Sequence, residues 1–498
     1  MELRRIGDLV SSIPLQELKG SRETPVRELA YDSRRVGPGD LFAALEGLHT
    51  DGHRYVGEAL RRGAAAVLHS RELPDYAEAI AYLRVPDARQ ALSPLAAAFF
   101  GHPSRRLKVL GVTGTDGKST TVWLLHRLLE ALGHSSGFLS TVHIQTGSQI
   151  EKNPLRQSTP EAPDLQRVLA AMVAAGKRFA VLEATSHGLS ERTARLRDVE
   201  FAAAAVTNIS HEHLEFHGSF EQYRSDKANL FRGLGRNSFG VVNLDDPSAC
   251  FFREQTRVPV LGYSLEDSRA DLRAGELEGD LSGSRLVLHC GREHAPVRLA
   301  LPGAFNVQNL LAAVLVVLRL LDLSLETVAP LIPSLRGVPG RLQRVRSGQG
   351  FEVIVDYAHT PRAFEQLLPL VRRHCPGRLI AVFGSAGERD LDKRPLQGAV
   401  AARHCDLLIL TDEDPRGEEP LRILEAIASG ARSQGREPLL EPDRRQAIRR
   451  AFSAAAPGDT VLLLGKGHEQ SILYPDGAMP WDEVGVAGEL LREMGFSS

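Results

Sequence analysis

The sequence predicts an α/β protein of three domains built on mostly parallel sheets, and three observations carry that expectation. A chain of 498 residues exceeds what one core supports, and a scale of roughly 150 residues per domain suggests three. Short apolar runs alternate with longer segments of helical periodicity, the pattern of buried parallel strands joined by crossover helices. One of those strands also runs through a glycine-rich loop into an amphipathic helix.

In chain order, a first region (1–103) ends where Gly101-His102-Pro103-Ser104 punctuates the chain after a helical stretch at 92–100. A second (104–338) opens with an apolar strand at 107–112 and has further core strands at 179–183, 202–207 and 240–243. Its longest apolar segment, 310–321, is interrupted by Arg319 and reads as a buried helix. A third (339–498) opens at Pro339-Gly340-Arg341, with strands at 353–355, 379–383, 406–410 and 460–464.

Composition excludes several classes. Hydrophobic residues make up 43% and charged residues 24%, and Lys+Arg at 60 nearly cancels Asp+Glu at 62. Without a basic excess or stripe, no nucleic-acid partner is expected. No uninterrupted apolar run reaches the roughly 18 residues of a membrane span, and Met1-Glu2-Leu3-Arg4-Arg5 leads into mixed polar sequence, not a signal core. Cys250, Cys290, Cys375 and Cys405 lie far apart without CxxC pairing, which suits reduced thiols in a cytoplasmic protein.

The glycine loop carries the chemistry. The strand at 109–112 enters Gly114-Thr115-Asp116-Gly117-Lys118-Ser119-Thr120, and a helix follows with Val122, Leu125, Leu128, Leu129 and Leu132 on one face. Glycines let backbone N–H groups wrap a phosphate, the helix N-terminus adds partial positive charge, and the lysine supplies a full one. Ser119 or Thr120 is placed to bind Mg²⁺. ATP and Mg²⁺ are therefore the expected cofactors of a central phosphate-loop ATPase. Position 112 is valine, so the spacing is TGTxGK[ST]T and not the strict GxxxxGK[ST].

From this loop onward the sequence resembles the Mur ligase family, ATP-dependent enzymes that extend the peptide of the bacterial cell-wall precursor. The resemblance runs nearly end to end, through LEATSHGL (182–189), TNISHEHLEFHG (207–218), YRSDK (223–227), NLDDP (243–247), LPGAFNVQN (301–309), GVPGR (337–341), VDYAHTP (355–361), GERDLDKRP (387–395) and GKGHE (465–469). YDSRRVGPGDLF (31–42), Asp51-Gly52, QSTPEAPDL (157–165) and EDPR (413–416) are most similar to the members that add a diamino acid to UDP-N-acetylmuramoyl-L-alanyl-D-glutamate. The resemblance implies a UDP-precursor domain, a central ATPase and a Rossmann-like C-terminal domain that binds the incoming amino acid. It implies partners that are small molecules, the UDP-N-acetylmuramoyl-dipeptide and a free diamino acid, and a monomer.

Joining an amine to a carboxylate in water needs an activated carbonyl. The family's route is attack of the D-glutamate γ-carboxylate on the ATP γ-phosphate, then attack of the amine on the acyl phosphate. Two anions must approach each other, so cations are the first requirement. The resemblance assigns Lys118 to the phosphates and Glu183 to one Mg²⁺ with the loop hydroxyl. Spacing alone would admit His211, His213 or His217 as a metal ligand; the motif selects His213, although this chain has His211-Glu212-His213 where Arg-Asp-His is common. It assigns Lys227 to a second metal, after carbamylation by CO₂ converts its repelling ammonium to an anion. Asn309 is implied on the adenine side, Arg341 at the phosphates, Asp356 at the ribose and His359 near the reacting phosphate. Against these stand ordinary roles, a helix cap, a solvated cation and a strand end.

For the precursor, the resemblance implies Tyr31, Ser33, His49 and Thr50 at the nucleotide end, and Gln157, Ser158, Thr159 and Thr185 at the sugar-peptide. An arginine after SHGL is also implied, and Arg192 and Arg195 compete for it. Arg389, Asp414, Arg416, Gly465 and Glu469 match the amino-acid site. Arg416 could pair bidentately with a carboxylate, and Glu469 could receive an ammonium. Meso-diaminopimelate users typically carry DNPR. Asp414 in place of that asparagine adds an anion that favours a bare ammonium, as in lysine or ornithine, whereas Arg416 argues for a carboxylate. Competing functions are another ligase of the superfamily, such as a folylpolyglutamate synthase, which the N-terminal YDSRRVGPGDLF opposes, and a non-catalytic scaffold, which intact Lys118, Glu183, His213 and Lys227 oppose.

Overall fold

The computed structural model describes residues 3–47, 50–155, 157–210 and 212–496. Its centre is an eleven-stranded sheet. Seven strands run parallel, in the spatial order Ser136–Leu139, Phe179–Glu183, Lys108–Thr113, Phe201–Val206, Phe239–Asn243, Val260–Ser264 and Leu272–Asp280. The strands expected from apolar runs are all present, shifted at most by a residue. Antiparallel strands extend both edges, among them Gly283–Cys290 and Glu293–Leu299. That meander escaped the sequence reading because it alternates buried and exposed positions, so it offers no continuous apolar run.

Helices Lys118–Ala131 and Ala304–Leu321 pack together on one side of this sheet within a single apolar cluster. Ala304–Leu321 is long and apolar enough to cross a membrane by composition, yet 67% of it is buried inside the fold. Its apolar length is explained by packing on several sides at once.

The N-terminal region forms a five-stranded sheet with strands Ala81–Arg84, Ala66–His69, Leu41–Ala43 and Leu29–Ala30 in parallel and Glu17–Lys19 antiparallel at the edge. The C-terminal region forms a six-stranded sheet in the order Gln343–Val345, Glu352–Asp356, Thr460–Leu464, Leu379–Phe383, Leu407–Leu410, Leu439–Leu440, antiparallel only at the first pair. Apolar clusters cover both of its faces. Several contacts join it to the central region. The Arg336 carbonyl, in the connecting segment, accepts a hydrogen bond from Trp123 Nε1 (2.8 Å), and Leu281, at the tip of the hairpin between Leu272–Asp280 and Gly283–Cys290, packs against the C-terminal core. All four cysteines are unpaired.

Candidate active site

Parallel strands deliver the site residues to one edge. Glu183 pairs with Val112 and Val206 with Thr113, so the glycine loop, Glu183 and Thr207-Asn208 emerge together at the carboxyl ends, where ligands bind open α/β sheets. Gly117 has φ 82°, and a Cβ there would collide with the Asn309 carboxamide; only glycine satisfies both demands. Lys118 opens the helix, and its Nζ donates to the carbonyls of Gly114 (3.0 Å) and Thr115 (2.7 Å). Thr207 Oγ1 donates to the Asp116 carbonyl (2.6 Å), and Asn208 Oδ1 accepts from Asp116 N–H (3.1 Å). Ser119 and Thr120 are buried in the first helical turn. Asp116 Oδ2 has no hydrogen-bond partner among the described residues, and burial, then the nearby Glu212 charge, raises its carboxyl.

A cavity of about 160 Å³ lies against this loop, lined by Asp116, Gly117, Thr120 and Asn309 from the central region and by Arg341 and Asp356 from the C-terminal one. Three of the expected nucleotide contacts are thus brought to the loop. Asp356 accepts from Leu342 N–H (2.8 Å) and Ala358 N–H (2.7 Å), while the Arg341 guanidinium stacks on Tyr357 at 4.5 Å. Arg362, which the sequence reading missed, lines the same cavity and reaches the Ile209 carbonyl.

Glu183 is 1% exposed, and its carboxylate accepts Thr141 N–H (2.9 Å) and Thr141 Oγ1–H (3.0 Å). Thr141 Oγ1 also meets Ser158 Oγ at 2.5 Å, and Thr159 Oγ1 donates to the Glu183 carbonyl (2.8 Å) while accepting from Thr185 N–H (3.1 Å). Ser158, Thr159, Thr185 and Glu183 are therefore one network. Thr185 also caps the short helix Ser186–Leu189.

The two described histidines, His213 and His217, differ in environment. His217 is buried between Asp226 Oδ2 (2.6 Å) and Ser186 Oγ (3.0 Å), which commits it to holding helix Phe220–Arg232 in place. His213 lines a second cavity, and His211 lies outside the described residues. The Glu212 carboxyl would be raised by burial, but the His213 and Lys118 charges outweigh this and bring it to about 2. Lys227 is 1% exposed, and its Nζ donates to the Gly114 carbonyl (2.7 Å). Burial, then the Lys118 charge, pushes its amine well below the usual lysine range, towards the neutral form.

The second cavity, about 570 Å³, is lined by Thr141, Asn153, Glu212 and His213 on the central side and by His359, Arg389, Lys393, Glu413, Asp414, Arg416 and Glu469 on the other. His359 sits here, its Nδ1 against the Tyr357 carbonyl (2.9 Å), and burial lowers its pKa. Gly465 has φ 97°, and a Cβ there would press on the Glu413 carboxylate. Asp414 is not the unbalanced anion expected from the sequence. Lys466 Nζ lies 2.8 Å from Asp414 Oδ1 and 2.5 Å from Glu469 Oε2, so neither carboxylate is a bare anion. Behind these loops, fully buried Arg444 pairs with fully buried Glu483 (2.6 Å) and donates to the carbonyls of Asp412 (3.0 Å) and Leu464 (2.8 Å). Lys466, Arg444 and Glu483 all escaped the sequence reading. The lysine stands inside GKGHE, but its partner is 52 residues away in the chain.

The residues expected at the nucleotide end of a precursor are less assembled. Tyr31 OH donates to Asp164 (2.5 Å), Ser33 Oγ to Glu58 (3.0 Å), and Thr50 Oγ1 meets Tyr55 OH at 3.4 Å; none of the three lines either cavity. His49 lies outside the described residues. Arg195 contacts Gln157 Oε1 (3.2 Å), the Thr159 carbonyl (2.9 Å) and Glu161 (2.8 Å), whereas Arg192 turns to the Phe216 carbonyl (2.7 Å). Of the two competing arginines, Arg195 is the one grouped with Gln157 and Thr159.

Family models match residues 112–317 (Mur ligase middle domain), 340–467 (Mur ligase, glutamate ligase domain) and 25–100 (Mur ligase family, catalytic domain). The chain belongs to the Mur ligase family. A UDP-N-acetylmuramyl-tripeptide synthetase of Roseiflexus sp. (strain RS-1) is 48% identical to this Mur ligase over 94% of this chain and 95% of its own. A solved UDP-N-acetylmuramoyl-L-alanyl-D-glutamate–2,6-diaminopimelate ligase, 31% identical, superposes with a TM-score of 0.65 over 98% of this chain and 99% of that one. A Mycobacterium tuberculosis folylpolyglutamate synthase complexed with ADP and AMPPCP shares the fold alone, at 18% identity and a TM-score of 0.63 over 82% of this chain and 95% of its own. Like other Mur ligases, this one is an ATP-dependent acid–amino-acid ligase.

Proposed function

We propose that this Mur ligase adds a diamino acid to the D-glutamate γ-carboxylate of UDP-N-acetylmuramoyl-L-alanyl-D-glutamate through an acyl phosphate, in cell-wall precursor synthesis. The observation that carries the reading is the second cavity, lined by Thr141 and His213 from the side of the phosphate loop and by Arg389, Arg416 and Glu469 from the other. It is the place where a carboxyl activated at the loop and an amine held by the C-terminal region would meet, as proximity catalysis requires. The division of labour follows the expected domains, 1–103 for the UDP moiety, 104–338 for ATP and 339–498 for the amino acid. Arg195, with Gln157 and Thr159, takes the sugar-peptide end.

The donor set suits Mg²⁺. Among the described residues no three His, Cys, Asp or Glu side chains converge on a metal site, but hydroxyls at Ser119 and Thr120 and the Glu183 carboxylate stand at one sheet edge. Mg²⁺ commonly binds through one or two carboxylates plus substrate phosphates. Bound there, it would supply charge neutralisation between the γ-carboxylate and the γ-phosphate. Lys118 adds a fixed positive charge at the same place, and the tied Thr141–Glu183 pair keeps the carboxylate oriented. Burial lowers the Lys227 pKa, which favours the neutral amine needed for addition to CO₂ with release of one proton, and its carbamate would be the anion for a second cation. Short carboxylic acids should rescue Lys227→Ala; full activity of that variant without them rejects the carbamate.

Phosphate release dependent on all three of ATP, the UDP-dipeptide and a diamino acid tests the whole reading. L-Lysine, L-ornithine and meso-diaminopimelate are the candidates to compare. Release driven by a folate and glutamate instead would overturn it.

A further inference from the structure

We propose that Lys466 is a specificity-determining positioning residue, which by neutralising Asp414 and Glu469 together sets how far the site tolerates a carboxylate on the incoming side chain. The inference rests on the diamino-acid reading above. Asp414 and Glu469 line the second cavity while Lys466 does not, so a fully buried cation stands behind two lining carboxylates. Each carboxylate has one further tie, Asp414 Oδ1 to Leu473 N–H (2.9 Å) and Glu469 Oε1 to Tyr357 OH (3.2 Å). With Lys466 charged, the trio carries one net negative charge instead of two. Arg389, Lys393 and Arg416 line the same cavity, and they can then accept a substrate carboxylate that two bare carboxylates would repel.

Burial opposes the Lys466 charge, but Glu469 and Asp414 raise its pKa on balance, so the ammonium persists. The loops carrying these groups are anchored separately, because Arg444 donates to the Asp412 and Leu464 carbonyls. Lys466 is therefore removable without releasing the loop bases.

The experiment measures kcat and KM for meso-diaminopimelate, L-lysine and L-ornithine with the wild type, Lys466→Met, Asp414→Asn and the double variant. In Lys466→Met, the ratio of kcat/KM for diaminopimelate to that for lysine should fall at least about tenfold, carried by the amino-acid KM, with KM for ATP and the UDP-dipeptide within about twofold. Adding Asp414→Asn should bring the ratio back towards the wild type. If Lys466→Met does not fold, Asp414→Asn alone must raise the ratio for diaminopimelate. A ratio that does not move, or losses equal for all three amino acids, overturns the inference. A wild type inactive with all three sinks the diamino-acid reading and this inference with it; an active wild type with unmoved ratios sinks only this one.

Discussion

The glycine loop and the proposed amino-acid site are both suited to charged ligands, and they are built by opposite means. The loop is seven consecutive residues whose donors are backbone N–H groups, with one lysine folded against its own carbonyls. The amino-acid site assembles Arg389, Asp414, Arg416, Lys466 and Glu469 from separate loops, and its charges are balanced by ion pairs between them. The difference teaches where each site is fragile. Backbone geometry fails when a side chain intrudes, whereas an ionic network fails when one partner is left alone.

The largest expected effect tests the second kind of failure. Arg444→Met leaves Glu483 buried and unpaired, and breaking such a pair costs about 3–5 kcal/mol; denaturant unfolding should show this, and a loss under about 1 kcal/mol would mean that the pair is not what holds the amino-acid loops. Next is Lys118→Ala, expected to lower kcat/KM for ATP about 10²–10³-fold through lost charge stabilisation, with unfolding unchanged. Unaltered ATP turnover would remove the loop from the reaction. Gly117→Ala probes backbone geometry. A left-handed φ alone costs about 1–2 kcal/mol in a non-glycine residue, and collision with Asn309 adds to it, so ATP should bind about 10–100-fold more weakly in a titration.

The smallest effect is a pH dependence confined to the amino-acid side. Burial pushes Asp412 up to about 6, above its unfolded value of about 3.9. Folding is thus favoured by the protonated form, and that contribution is complete below about pH 4 and lost as pH rises through 6. Asp412→Asn should therefore stabilise the protein by about 1–2 kcal/mol at pH 8 and by almost nothing at pH 4. Equal effects at both pH values would assign the change to packing, not charge.

The same contrast explains what the sequence disclosed. Thr113 to Thr120 could be read directly, because every part needed for phosphate binding is adjacent in the chain. The parallel strands Lys108–Thr113, Phe179–Glu183, Phe201–Val206 and Phe239–Asn243 and four of the C-terminal sheet were legible as apolar runs, while the meander from Leu272 to Leu299 was not, since half of each strand faces outward. Asp414 was expected to stand as an unbalanced anion, but Lys466 is paired with it. Nothing local to EDPR shows that a lysine from GKGHE folds onto it. Arg444 and Glu483 were invisible for a related reason: charged residues are mostly solvated, and only the fold shows these two sealed at 0% side-chain exposure.

The hairpin tip that seats Leu281 in the C-terminal core has a mechanical consequence. The C-terminal body is held to the central one by the covalent connection, steadied by Trp123 at the Arg336 carbonyl, by this non-covalent peg, and by Arg362 on the Ile209 carbonyl beside the first cavity. Opening that cavity therefore costs a hydrogen bond on one side, and withdrawing the hairpin costs buried apolar area on the other.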